Sequence, residues 1–141
     1  VRNTWASKRA SGREQVTALV EALEARFPGL RLDLYPTGKD GWGSQIMELS
    51  AIVVPKGQRE QGIGTKVMRE IVEAADAHGW TLALTPSSDF GGSKSRLVSF
   101  YRGFGFVPNH GRSKDYTTRA TMMRSVPMAK RVASRWLDRK R

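Results

Sequence analysis

Apolar and polar positions along the chain follow two periods, and the places where the period changes mark the elements. Val16, Leu19, Val20, Leu23 and Phe27 recur at three- and four-residue spacing, which predicts an amphipathic helix from Arg13 to a stop at Pro28-Gly29. Its apolar stripe implies a sheet to lie on. Leu30, Leu32 and Leu34 then alternate with Arg31, Asp33 and Tyr35, the pattern of a strand with one buried face. Pro36 to Gly43 is rich in turn formers, and Ser44 to Val54 reads as the second strand of a hairpin. The run Ile52-Val53-Val54 suits a central strand covered on both faces.

After the charged loop Pro55 to Gln61 the helical period returns. Ile63, Val67, Met68, Ile71, Val72 and Ala75 share a face between Gly62 and Gly79, and Gly79 stands where a C-terminal cap belongs. Trp80 to Leu84 reads as a short strand, parallel to Ser44–Val54 because strand, helix and strand in close succession make a right-handed crossover. Thr85 to Gly92 is a loop, Lys94 to Arg102 a short helix ended by Gly103, and Phe104 to Val107 a strand. A polar loop from Asn109 to Thr118 precedes a last strand, Arg119 to Val126, and beyond Pro127 the residues Met128, Val132, Arg135 and Trp136 share a helical face. The expectation is one α/β (α+β) domain over 13–126, with a basic arm or linker at 1–12 and a basic helix or tail at 127–141.

Composition narrows this picture. A chain of 141 residues builds one sizeable core and not two. No apolar run approaches the ~20 residues that span a bilayer, so a membrane role is not expected. With no cysteine there is no disulfide and no thiolate metal site, and two isolated histidines make a poor metal set. Chemistry therefore falls to carboxylates, hydroxyls, amines and backbone groups. The absence of cysteine is compatible with a reducing cytosol, and a cytoplasmic monomer or homodimer is expected. The chain begins at Val1 rather than Met, which suggests a processed chain or a domain cut from a longer one. The net charge of +11 is uneven, since residues 112–141 hold ten Lys or Arg against Asp115 and Asp138. That end suits nucleic acid or another polyanion, and equally a solvated tail.

Candidate chemistry centres on Leu49 to Met68, which runs from strand through Arg59-Glu60-Gln61-Gly62-Ile63-Gly64 into helix. A helix N-terminus carries unpaired N–H groups and a partial positive charge, and glycine lets an anion approach them. The third glycine and the acidic partner of a dinucleotide fingerprint are missing, and no Gly-Lys-Ser/Thr follows as in a Walker loop. What remains is a short anion cradle of backbone amides. Glu48, a carboxylate in an apolar strand, needs a partner or solvent; it reads either as a base or as a strand-end glutamate.

Arg/Gln-x-x-Gly-x-Gly/Ala between a hydrophobic strand and an amphipathic helix resembles the acetyl-coenzyme A signature of the GNAT superfamily of N-acetyltransferases. Leu97-Val98-Ser99-Phe100-Tyr101-Arg102-Gly103-Phe104-Gly105-Phe106 resembles that family's later helix and its Tyr-x-x-x-Gly-Phe segment, and the two blocks stand in the family's order. The resemblance, covering about Arg31 to Val126, implies a GNAT-type mixed, mostly antiparallel sheet, splayed at the coenzyme site and flanked by helices. It implies that the backbone of Ile52, Val53 and Val54 meets the pantetheine arm, that Arg59, Glu60, Gln61, Gly62, Ile63, Gly64 and Thr65 take the pyrophosphate, and that acetyl-CoA is the donor to an amine acceptor. Glu48, 14 residues before Gly62, matches the position of the catalytic glutamate in histone-type members, and Tyr101 matches the tyrosine that protonates the leaving thiolate. Lys94 stands where many members carry an asparagine that touches the coenzyme; a lysine there could meet a phosphate. Asp40, Trp42 and His110 are expected at the acceptor site, although each also reads as a plain loop residue. The terminal MRSVPMAKRVASRWL faintly resembles acetyltransferase-like domains of phage and mobile-element polyvalent proteins. A second reading is a non-catalytic module of this fold that docks on nucleic acid or a partner protein through its basic C-terminal segment.

Overall fold

The computed structural model describes residues 12–55, 57, 61–87 and 93–127. The arm at 1–11, the tail at 128–141, and Arg59 and Glu60 lie outside the described residues. Helix α1 (Gly12–Arg26) leads into β1 (Arg31–Lys39) and β2 (Gln45–Val53). Helix α2 (Ile63–His78) follows, then β3 (Thr81–Leu84), α3 (Lys94–Arg102), β4 (Val107–Pro108) and β5 (Met122–Arg124). The strands form one open sheet in the order β1-β2-β3-β5-β4, in which β2 and β3 are parallel and every other pair is antiparallel. The fold is thus mixed α/β with a mostly antiparallel sheet. No helix among the described residues is long and apolar enough to cross a membrane.

Alternation decides which side chains enter the core. Leu32 and Leu34 of β1, Met47 and Leu49 of β2, and Leu82 and Leu84 of β3 face the main cluster, where they meet Val16 and Leu23 of α1 and Val67, Met68 and Ile71 of α2. Ile46, Ala83 and Met123 turn to the other face and form a smaller cluster with Ala120. Burying a Leu, Ile, Val or Met side chain contributes about 1.5–3 kcal/mol, so the apolar stripe of α2 is what holds it on the sheet. Gly79 caps that helix with φ 76°, and its N–H returns to the Ala75 carbonyl, the left-handed ending that glycine allows.

Three boundaries differ from those read in the sequence. Strand β1 continues through Pro36 to Lys39, where a turn is expected from Pro36 onward. It is the edge of the sheet, so a proline without an N–H leaves no ladder bond broken, and Thr37 is taken up as a bulge. Phe104 to Phe106 is a turn rather than a strand. The amides of Phe104 and Phe106 donate back to the Tyr101 carbonyl at 3.0 and 3.3 Å, and Gly105 sits at φ 95°. In the last strand only Met122–Arg124 pairs, because the amides of Ala120 and Thr121 donate to the hydroxyls of Thr118 and Thr85 instead of to a neighbouring strand.

Candidate functional site

The parallel pairing of β2 with β3 runs from Ile46 opposite Thr81 to Leu49 opposite Leu84 and stops there. Strand β2 itself goes on to Val53, paired only with β1. Its register shows why the two part at this point: Leu34 faces Leu49 while Asp33 faces Ala51, so Ser50 is an extra residue, a bulge that bends β2. The bulge also resets the alternation, so that Ile52 as well as Leu49 packs toward the main core. Along residues 51–53 the edge facing β3 has no strand partner among the described residues.

A cavity of about 120 Å³ fills this divergence, lined by Leu49, Ile52, Leu84, Thr85, Leu97 and Tyr101 among others. Tyr101 enters from α3. It is 7% exposed, its ring meets those of Phe100 and Phe106 edge to face, and among the described residues its hydroxyl has no hydrogen-bond partner. Burial pushes its pKa above that of an ordinary tyrosine, because the charged phenolate would be poorly solvated there. The phenol is therefore held as a neutral donor aimed at nothing else in the described protein, which is the state a proton donor to a bound group requires.

The start of α2 lies against α3, the helix that carries Tyr101, since a Cβ added to Gly64 would touch the Phe100 ring at 3.9 Å. Gly62 is the N-terminal boundary residue at φ 70°, a conformation that favours glycine, and a Cβ there would meet nothing within 4 Å. Gly64 carries no such need, since 3.9 Å is ordinary contact. Gln61 is exposed and Thr65 half-buried, and the first turn of α2 contains no acidic residue that would offset the partial positive charge at the helix start. Lys94 opens α3 and is exposed, with Ser93 capping by accepting the Arg96 amide at 3.2 Å. These residues fit a phosphate-bearing thioester: an amide cradle at a helix start, a strand edge without a strand partner among the described residues, and a hydroxyl in the cavity beside that edge without a partner among the described residues. Among the described residues no group of His, Asp and Glu could hold a metal.

Glu48 is placed differently from Tyr101. Being next to Leu49, it faces the opposite side of the sheet and does not line the cavity. There its carboxylate accepts the Tyr35 hydroxyl at 2.7 Å from the adjacent strand. That bond, with burial next, holds the Tyr35 pKa above the ordinary value. Tyr35 was legible only as a strand residue; its partnership with Glu48 needs the hairpin register. Next to this pair Ser50 donates to Asp33 at 2.7 Å, so the bulge residue is tied on the same polar strip.

Of the three residues expected at the acceptor site, Asp40 and Trp42 lie at the other end of β2, whereas His110 follows Asn109, whose amide donates to the carbonyl of Thr121, the residue that bonds Thr85. Asp40 is buried, and both its oxygens are engaged: Oδ1 accepts the amides of Trp42 and Ser44 at 2.9 Å each, and Oδ2 accepts Thr81 Oγ1 at 2.6 Å. It anchors the hairpin turn to β3. Trp42 and His110 are exposed on two loops before β2 and after β4. Residue Ile52, with Val53 and Val54, stands half-buried at the divergence.

No protein-family model matches the sequence, and no curated protein does. Among solved structures, Arabidopsis thaliana Naa50 in complex with the bisubstrate analogue CoA-Ac-MVNAL aligns at 14% identity and a TM-score of 0.45, over 67% of this chain and 62% of that one. The aligned part thus spans less than two thirds of that protein, and a likeness of this degree carries neither fold nor function.

Proposed function

We propose that the protein is an N-acetyltransferase of GNAT type that binds acetyl-coenzyme A where β2 and β3 part and passes the acetyl group to an amine. The observation that carries this reading is the buried Tyr101 hydroxyl, without a hydrogen-bond partner among the described residues, lining the cavity at the end of the parallel pair. Acetyl-coenzyme A, when bound, supplies an activated acetyl thioester. The amides of Gln61 to Thr65 would hold its pyrophosphate, and the free edge of residues 51–53 its amide-bearing arm. Tyr101 keeps a proton on its oxygen for the leaving sulfur. Glu48 is assigned the proton that the acceptor ammonium must lose, taken through water from the sheet face on which it lies, with Tyr35 orienting its carboxylate. Amine, carboxylate and phenol then exchange protons without any covalent intermediate on the protein.

Isothermal titration with coenzyme A tests binding, and binding absent up to millimolar concentration would end the proposal. Roles are separated by substitution. Tyr101→Phe and Glu48→Gln are each expected to lower kcat about 10²–10⁴-fold, the usual contribution of a positioned acid or base, with coenzyme affinity nearly unchanged. An unaltered kcat in either variant removes that residue from the chemistry.

A further inference from the structure

Trp42 and Tyr116 are 84% and 82% exposed, and they stand on two loops that the fold joins outside the cavity at the end of β2. The first loop is the turn built on Asp40, closed further by the Asp40 amide on the Ser44 carbonyl at 2.9 Å. The second is pinned from within: the Asn109 side chain donates to the carbonyls of Asp115 and Ala120 at 3.1 Å each and accepts the Asp115 amide at 2.8 Å. Asp115 then bridges the two loops, accepting the Gly41 amide at 3.2 Å and the Thr117 amide at 2.8 Å. Between them lies an open cleft of about 450 Å³ lined by Gly41, Trp42, Lys114, Asp115, Tyr116 and Thr117. Large rings held out into water by hydrogen-bonded loops are pre-organised to receive something with a flat face.

Charge indicates what that is. Segments 38–44 and 109–119 carry the exposed cations Lys39, Arg112, Lys114 and Arg119 against two carboxylates, Asp40 and Asp115. Both carboxylates are engaged in holding the loops, whereas Lys114 Nζ hangs 5.2 Å from the Tyr116 ring centroid at the mouth of the cleft. The whole chain adds a net charge of +11. Two exposed aromatic rings beside exposed cations on a strongly basic protein match a polyanion whose units have π-faces. We propose that this cleft binds single-stranded nucleic acid, with bases stacked on Trp42 and Tyr116 and phosphates met by Lys114 and its basic neighbours. A duplex hides its base faces in the stack, and an acidic peptide offers charge without rings. The proposal does not depend on coenzyme binding and uses none of the cavity residues.

The test is fluorescence anisotropy of the full chain with a labelled oligothymidylate of about a dozen nucleotides, a duplex of equal length, and polyglutamate. Tight binding of the single strand over the other two is expected. Trp42→Ala and Tyr116→Ala should each weaken it about tenfold, while Trp42→Phe and Tyr116→Phe, which keep a stacking face, should retain most of the affinity. Circular dichroism should not change in any variant, because both side chains lie outside the core. Unaltered single-strand affinity in the double alanine variant would overturn the proposal, since binding would then come from charge elsewhere, including the basic tail. Equal or tighter binding of the duplex or of polyglutamate would overturn it as well.

The bridge itself is open to measurement. Hydrogen bonds from Thr117, against a smaller opposing effect of burial, hold the Asp115 carboxyl below the usual carboxylate range. A lowered folded-state value means the bridge stabilises the loops above the ordinary carboxylate pKa and is lost as pH falls through the lowered one. The Gly41 amide resonance should therefore titrate at a pH below that of an ordinary aspartate, and Asp115→Asn should abolish the titration.

Discussion

Asp76→Ala is expected to destabilise the protein by about 3–5 kcal/mol, measured as a drop in the urea midpoint at constant m-value. Arg124 of β5 is the reason. Its guanidinium forks onto Asp76 of α2, with Nη1 to Oδ1 at 2.8 Å and Nη2 to Oδ2 at 3.2 Å, and its Nε donates to the Phe104 carbonyl at 2.8 Å. Both side chains of the pair are only 7% exposed. One arginine thus joins the sheet, α2 and the turn after α3, where Gly105 takes the left-handed φ of 95°. Removing the carboxylate strands a buried guanidinium, which costs far more than an exposed pair is worth. Asp76→Leu combined with Arg124→Met should recover most of the loss, because two apolar side chains of similar volume leave no charge unpaired. A cost below about 1 kcal/mol for Asp76→Ala would mean that water reaches the pair.

Gly62→Asp is expected to weaken coenzyme A binding strongly while leaving the fold intact. An added Cβ meets nothing within 4 Å, and aspartate is among the residues that tolerate the left-handed region. Its carboxylate at the start of α2 should even favour the helix. Toward a pyrophosphate, however, it places like charge within a few ångströms, worth about 1–4 kcal/mol across the dielectric range of a protein surface. The dissociation constant from calorimetry should rise about tenfold to a thousandfold. Gly62→Asn, of the same shape without the charge, should lose much less. Equal losses in the two variants would make backbone strain the cause, and unaltered binding in Gly62→Asp would put the phosphates elsewhere.

Much of the architecture was legible from period and punctuation. Helix α3 begins and ends at Lys94 and Arg102 as read, α2 lies within one residue of Gly62–Gly79, and β3 is parallel to β2 as the crossover requires. Periodicity is a local signal, set by which side chains must leave water, so it survives without knowledge of neighbours. The strand ends were less legible because pairing partners decide them. Pro36 and Gly38 look like turn residues until β1 is known to be an edge, and Phe104 to Val107 looks like a strand until the Tyr101 carbonyl claims its amides.

The site divides along the same line. The glycine turn, Tyr101 and the Tyr-x-x-x-Gly-Phe spacing stand in the sequence, because helix starts and glycine conformations are local. What only the tertiary structure decided is how they are placed: that a bulge at Ser50 parts β2 from β3 and opens a cavity beside Tyr101, that Glu48 turns to the opposite face and bonds Tyr35, and that Asp40 is spent on a turn. Each depends on partners 13 to 41 residues away or on a register between strands. Side-chain period is blind to both, since a single inserted residue changes which face every later side chain takes. The glycine turn and Tyr101 were therefore written in the sequence, while the gap in the sheet that Tyr101 lines was set by long-range pairing.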